Sequence, residues 1–174
     1  MNKLSLYNAK YNYYISKLNI NELIGGSTKF TLKTDAFKDG HKFKKKYTSF
    51  GKNIHPYVKW HGIPKNTKDL LLLMYDLDAD NFIHWLLYNI NPKVRSLEGK
   101  YVIGKNTLGD NKYSGPEPPE DSPEHNYVLA LYALNDKIIL DANRSYTLKE
   151  LKRIIKPLKI EKTKIVGTYK NWNT

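Results

Sequence analysis

"LLLLMYDLDADNFIHWLLYNI", residues 70–90, places an acidic, turn-forming middle between two apolar runs. The run from Leu70 to Tyr75 reads as a strand entering a core. The run from Ile83 to Ile90 reads as a second buried strand, because each is short, continuous and bounded by turn residues. Between them Asp76, Asp78 and Asp80 alternate, and His84 stands where the chain turns apolar again. Isolated carboxylates beside a core are costly unless something pairs with them. The segment is therefore either a solvated turn between two strands or one wall of a polar site.

Working outward, "KFTLKTDAF" (29–37) alternates with period two and reads as a strand, and "YVKW" reads as another, ended by the turn signals of "HGIPKNTKD". "DGHKFKKKYTSFGKNIHP" reads as a turn, a polar strand and a loop. "HNYVLALYAL" (125–134) is apolar on both alternating faces, the pattern of a central strand. "KTKIVGTY" closes the chain as a short strand. The strong helix signal is "TLKELKRIIKPL", where Thr147 and Glu150 have capping-box spacing and Leu148, Leu151, Ile154, Ile155 and Leu158 share a face; Pro157 should end it. Strands with irregular connections and one late helix predict a mainly β, two-sheet sandwich forming one domain over residues 1–174.

Composition narrows the class. Hydrophobic residues make up 40% and aromatics 13%, which argues against disorder. No apolar stretch approaches the roughly 18 residues of a membrane span, and "MNKLSLYNAKYNYYISK" is polar where a signal peptide would be apolar. There is no cysteine, which removes disulfides, thiolate metal sites and thiol nucleophiles. The expectation is a cytoplasmic protein. A net charge of +12 invites nucleic acid, yet only three of the 29 basic residues are arginine, the residue favoured for bidentate contacts to phosphate and guanine. Lysine excess beside abundant Asn, Ile and Tyr also fits codon bias in an AT-rich genome. A solvated basic face is the preferred reading, with peripheral contact to anionic membranes as a further expectation.

Residues 91–124 read as mostly loop, and loops longer than about 12–15 residues in compact domains are commonly functional. The prolines of "YSGPEPPEDSPEHNY" stiffen the loop where it leads into His125. By period two, His125 and Tyr127 share a face, as do His84, Leu86 and Tyr88. Each histidine begins an apolar strand and Asp76 ends one. If those strands are neighbours, Asp76, His84, His125 and Tyr127 converge at one end of a sheet.

These residues carry a resemblance. "VKWHGIPKNTKDLLLLMYDLDAD" resembles the first signature of the phosphatidylethanolamine-binding protein family, "FIHWLLYNI" its next strand, and "GKNTLGDNKYSGPEPPEDSPEHNYVLALYAL" its second signature. "KIVGTYK" is similar to the ending common in bacterial members. The resemblance implies a two-sheet antiparallel β-sandwich with a long pocket-forming loop, a short helix near the C-terminus, and a small end pocket for phosphate or phospholipid head groups. By motif, that ligand-binding pocket comprises Asp76, Phe82, His84, Gly115, Pro119, His125 and Tyr127. The family's members act as regulators, some inhibiting kinases or proteases, without a general enzymatic reaction.

The chemistry suits that role. Imidazoles donate to phosphate oxygens, a carboxylate such as Asp76 orients a histidine and favours its charged form, and a tyrosine hydroxyl donates. Leu77 and Asp80 replace both signature prolines, so the turn should be less rigid and more acidic. Glu117, Glu120, Asp121 and Glu124 make the second loop acidic, and an outward orientation is favoured because charges are rarely buried unpaired. "DLDADN" fails as a calcium loop, since Asn81 stands where Gly belongs and Leu87 where the bidentate Glu belongs. No H-x-x-x-H pair supports a metal, "GKNTLG" is not a P-loop, and no G-x-S-x-G is present. The expectation is a non-catalytic anion-pocket protein without cofactor or metal. The alternatives are an interaction module with a vestigial pocket and, less favoured, a hydrolase using the His/Asp cluster.

Overall fold

The computed structural model describes residues 29–171; the reading of the first residues as lacking a signal peptide lies outside that range. The chain forms β1 (Thr31–Thr34), β2 (His41–Lys42), a 3₁₀ turn (Lys45–Tyr47), β3 (Val58–His61), β4 (Asp69–Asp76), β5 (Ile83–Ile90), β6 (Val102–Ile103), β7 (His125–Leu134), α1 (Leu148–Ile155) and β8 (Lys159–Tyr169). β1 and β3 make a two-stranded sheet, and the other strands make a six-stranded sheet in the order β2-β8-β7-β4-β5-β6. Among the described residues, the expected mainly β, two-sheet sandwich with a late helix is what forms. One pairing departs from the antiparallel expectation: β2 runs parallel to β8 through His41↔Gly167 and Lys42↔Thr168. No described helix is long and apolar enough to cross a membrane.

The four consecutive leucines are explained by what covers the large sheet. One face packs Leu70, Leu72, Met74, Leu129 and Leu131 against Leu32, Val58 and Trp60 of the small sheet. The opposite face packs Leu71, Leu73, Tyr75 and Val128 against Leu148, Leu151 and Ile155 of α1. β4 is buried along its whole length, so alternation between polar and apolar would be penalised on either face. Burial of one such side chain stabilises by about 1.5–3 kcal/mol.

α1 begins as its sequence predicts. The Glu150 N–H donates to Thr147 Oγ1 at 3.2 Å, and the Thr147 N–H donates to Glu150 Oε2 at 2.8 Å. The Thr147 backbone N–H and then its hydroxyl, which donates to Glu150 Oε2 at 3.0 Å, hold the Glu150 carboxyl below the usual carboxylate range. Thr147→Ala is expected to cost about 1 kcal/mol, read as a lower urea midpoint with an unchanged slope.

β5 carries two irregularities that period-two reading does not anticipate. Tyr75 pairs with Ile83 but Met74 pairs with Trp85, so His84 is an extra residue in a β-bulge. A second shift lies between Leu70 and Leu72, beside Asn89 at φ +55°. The expectation that His84 shares a face with Leu86 and Tyr88 is thereby corrected. Leu86 and Tyr88 face the helix side, whereas the His84 ring meets Tyr127, which packs in the core on the other side.

Candidate functional site

Three adjacent strands bring the polar residues together. β4 lies between β7 and β5 in the large sheet, so the end of β4 abuts the starts of both neighbours. Asp76 pairs directly with Tyr127, and His125 lies two residues before Tyr127 on the same strand. The bulge at His84 re-aims its imidazole onto that face. Asp76 is 3% exposed, His84 5% and His125 7%.

Each of the three aspartates has a different task. Asp76 Oδ2 accepts the Nδ1–H of His125 at 2.8 Å, and its Oδ1 accepts the Asp78 N–H at 2.8 Å. The exposed Asp78 is a clamp: its Oδ2 accepts the backbone and side-chain N–H groups of Asn126 at 2.6 and 3.0 Å. These bonds, the backbone one foremost, hold its carboxyl below the usual range. Asp80 sits at φ +48° and Asn81 at φ +57°, while the Phe82 N–H donates to Ala79 O at 2.9 Å. Two positive φ angles in a hydrogen-bonded four-residue turn define type I′, which Asp and Asn tolerate better than most residues. The missing prolines are thus replaced by a hairpin turn of another kind.

The long loop supplies the opposite wall. The Ser114 N–H donates to His84 O at 3.0 Å, and His84 Nδ1 donates to Ser114 O at 2.8 Å. The Thr107 N–H donates to Ile83 O at 3.0 Å, and the Ile83 N–H donates to Thr107 Oγ1 at 2.8 Å. Behind this wall, Gly115 N–H donates to Asn53 Oδ1 at 2.8 Å and Tyr113 Oη donates to Tyr47 O at 2.6 Å.

The result is a cavity of about 170 Å³. Six of the seven residues named from sequence line it: Asp76, Phe82, His84, Gly115, Pro119 and His125. Tyr127 does not. Its ring lies behind the imidazoles, with centroids 5.3 Å from His84, 6.3 Å from His125 and 5.6 Å from Phe43. Its hydroxyl is buried and meets no partner at hydrogen-bonding geometry among the described residues. Burial, then the Asp76 carboxylate, push the phenol far up, so it stays protonated. Ala79, Leu108, Ser114, Glu117 and Pro118 also line the cavity and were missed. Ser114 was legible in one respect, as the neighbour of Gly115 in the quoted loop. Glu117, Glu120, Asp121 and Glu124 are all exposed, as the outward reading expected, although Glu117 reaches the wall.

Both imidazoles are tied through the same nitrogen. A carbonyl and a carboxylate can only accept, so Nδ1 carries the proton in each ring, leaving Nε2 as the nitrogen available to a ligand. A neutral ring presents a lone pair there, and a protonated ring presents a donor. Burial pushes the pKa of His84 down, against the pull of the Ser114 carbonyl and Asp76.

The family model for phosphatidylethanolamine-binding protein matches residues 33–170. The chain belongs to the phosphatidylethanolamine-binding protein family. A "UPF0098 protein" of Methanothermobacter thermautotrophicus is 32% identical over 151 residues, covering 80% of this chain and 97% of the relative. One from Aquifex aeolicus is 34% identical over 148 residues, covering 78% and 85%. Among solved structures, a Chlamydia trachomatis protein described as a homologue of phosphatidylethanolamine-binding protein superposes with TM-score 0.72 at 28% identity, covering 82% and 98%. Escherichia coli YbcL superposes with TM-score 0.76 at 24% identity over 83% and 100%, a likeness of fold. In this phosphatidylethanolamine-binding protein family member, the matched span contains every residue that lines the cavity.

The depressed His84 value gives a signed pH dependence. The unfolded chain binds the His84 proton near the ordinary value of about 6.5, before the folded chain does. Stability is therefore lost as pH falls through that value toward the folded one. Without added anion, the melting temperature should drop between pH 7.5 and 5.5, and His84→Gln should flatten part of that slope. An identical slope in the variant would remove His84 as its source.

Proposed function

We propose that this chain is a non-catalytic binding protein whose histidine cavity takes phosphate or a phosphorylated head group, without cofactor. One observation carries the reading: two buried imidazoles, each anchored through Nδ1, line one small cavity, and this leaves Nε2 as the nitrogen to meet a ligand. Neutral Nε2 accepts from a protonated phosphate oxygen, and protonated Nε2 donates a charge-assisted bond to an ionised one. The buried Tyr127 hydroxyl stands as a reserve donor one layer back. His84 bonds the Ser114 carbonyl through Nδ1, a contact that orients the ring and activates no nucleophile. Regulation of a kinase or protease is the role the family resemblance suggests, and a cytoplasmic setting suits a chain without cysteine.

Phosphate and phosphoethanolamine should raise the melting temperature, because a ligand bound only to the folded state stabilises it by mass action. The rise should grow as pH falls, because a bound anion stabilises a protonated imidazole and so opposes the burial that disfavours charge on His84. His84→Ala and His125→Ala should remove it, and Asp80→Asn should keep it. Equal responses in wild type and both histidine variants would overturn the assignment. A second reading, a protein-facing surface with a vestigial pocket, is favoured by Glu117 on the wall and by Leu108 at 62% exposure on the rim.

A further inference from the structure

The outer face of the two-stranded sheet is independent of the histidine cavity and carries its own charge pattern. β3 buries Val58 and Trp60 and exposes Lys59 and His61; on β1, Lys33 is exposed directly opposite Lys59. Like charges facing one another across a strand pair destabilise it. Beside them, residues 93–98 run back along β3, with the Trp60 N–H donating to Arg95 O at 2.9 Å and Lys59 bridging to Ser96. The edge so formed closes a groove of about 510 Å³, lined by Tyr57, Lys59, His61, Lys93, Arg95 and Glu98 among others.

Two features make this more than a solvated basic patch. Arg95 Nη1 donates to Pro92 O at 3.0 Å and to Val94 O at 3.1 Å. Both anchors use one nitrogen of the fork, so the guanidinium is held in place while its other donors stay available, the arrangement that suits a phosphate. In addition, the groove is about three times the volume of the histidine cavity and sets Lys59, Lys93 and Arg95 against a single carboxylate, Glu98. That size and charge exceed the needs of one orthophosphate. We propose that this groove is a second anion site, for a compact ligand carrying several linked phosphate groups.

The test is calorimetric titration of the full chain with sodium tripolyphosphate and, separately, with orthophosphate, in a His84→Ala/His125→Ala background that silences the first cavity. Tripolyphosphate should bind at least tenfold more tightly than orthophosphate. Arg95→Lys keeps the charge but loses the fork, and should weaken tripolyphosphate at least fivefold. Glu98→Gln should tighten it, and Lys149→Ala on the exposed side of α1 should change nothing. Arg95 and Glu98 are exposed, so these variants leave the core untouched. Equal affinity in Arg95→Lys and its parent, no preference for tripolyphosphate, or binding confined to phosphatidylserine vesicles or to RNA would each overturn the proposal. Loss of orthophosphate response in the histidine variants bears on the first cavity alone, so the two sites fail separately.

Discussion

Asp76→Ala is expected to destabilise the fold by about 3 kcal/mol, within the range for removing one partner of a buried polar pair. The carboxylate accepts from two groups, the His125 ring and the Asp78 backbone. Alanine would leave the buried His125 Nδ1–H without its acceptor. For a domain of this size such a loss lowers the melting temperature by roughly 6–12 °C. Asp76→Asn keeps one acceptor oxygen and should cost about half as much. In a double-mutant cycle with His125→Ala the two losses should couple by about 1–2 kcal/mol, because removing the ring removes the orphaned donor. Additive losses would show that the carboxylate serves the turn rather than the imidazole. The cycle also separates stability from binding: both single variants should lose the phosphate-induced rise, Asp76→Ala because His125 is no longer held in one orientation.

The second large effect is steric. A Cβ built on Gly115 would lie 2.4 Å from Tyr47 O, and 2.8 Å from both Asn53 Oδ1 and Thr48 Cα. Two of those atoms are backbone and cannot swing aside. The loop would have to move away from residues 47–53, and that motion breaks the Gly115 N–H bond to Asn53. Gly115→Ala is expected to cost about 3 kcal/mol from overpacking and the lost bond together, and to abolish the cavity even where the protein stays folded. Gly109→Ala makes a useful contrast. That glycine has open space around it but a φ of +87°, so its penalty is confined to backbone strain of about 1 kcal/mol. If Gly115→Ala were tolerated with binding intact, the close approach of the two loops would not be what shapes the site.

Much of the fold was legible because the core strands are long and buried. β5 and β7 occupy 83–90 and 125–134, the bounds their apolar runs suggest. The capping box at Thr147 is present in full. β6 is not legible within the long loop, because two residues of pairing leave no periodic trace. β8 extends back to Lys159, further than its apolar part implies, because polar residues fill its half-exposed portion. At the site, residue types and order were enough to bring Asp76, His84 and His125 to one end of the sheet. The bulge was not legible, since nothing in "FIHWLLY" marks which residue is the extra one. Nor was the division of labour among the aspartates, which depends on where Asn126 and the type I′ turn fall in space. Tyr127 alternates correctly with His125, but alternation gives direction and not depth, and depth is what puts its ring behind the imidazoles.

The bonds that shape the cavity join residues far apart along the chain. His84 reaches Ser114 across 30 positions, His125 reaches Asp76 across 49, Gly115 reaches Asn53 across 62 and Tyr113 reaches Tyr47 across 66. Closing such spans costs chain entropy before any contact rewards it, which slows their formation. The hairpin of β4 and β5 is local and can form early, whereas the cavity exists only once four distant segments have met. Ligand recognition should then appear in the last kinetic phase of refolding, after the sheet signal has developed. A protein wired in this way offers its pocket only to partners that meet the finished chain, and nascent or partly unfolded copies stay silent.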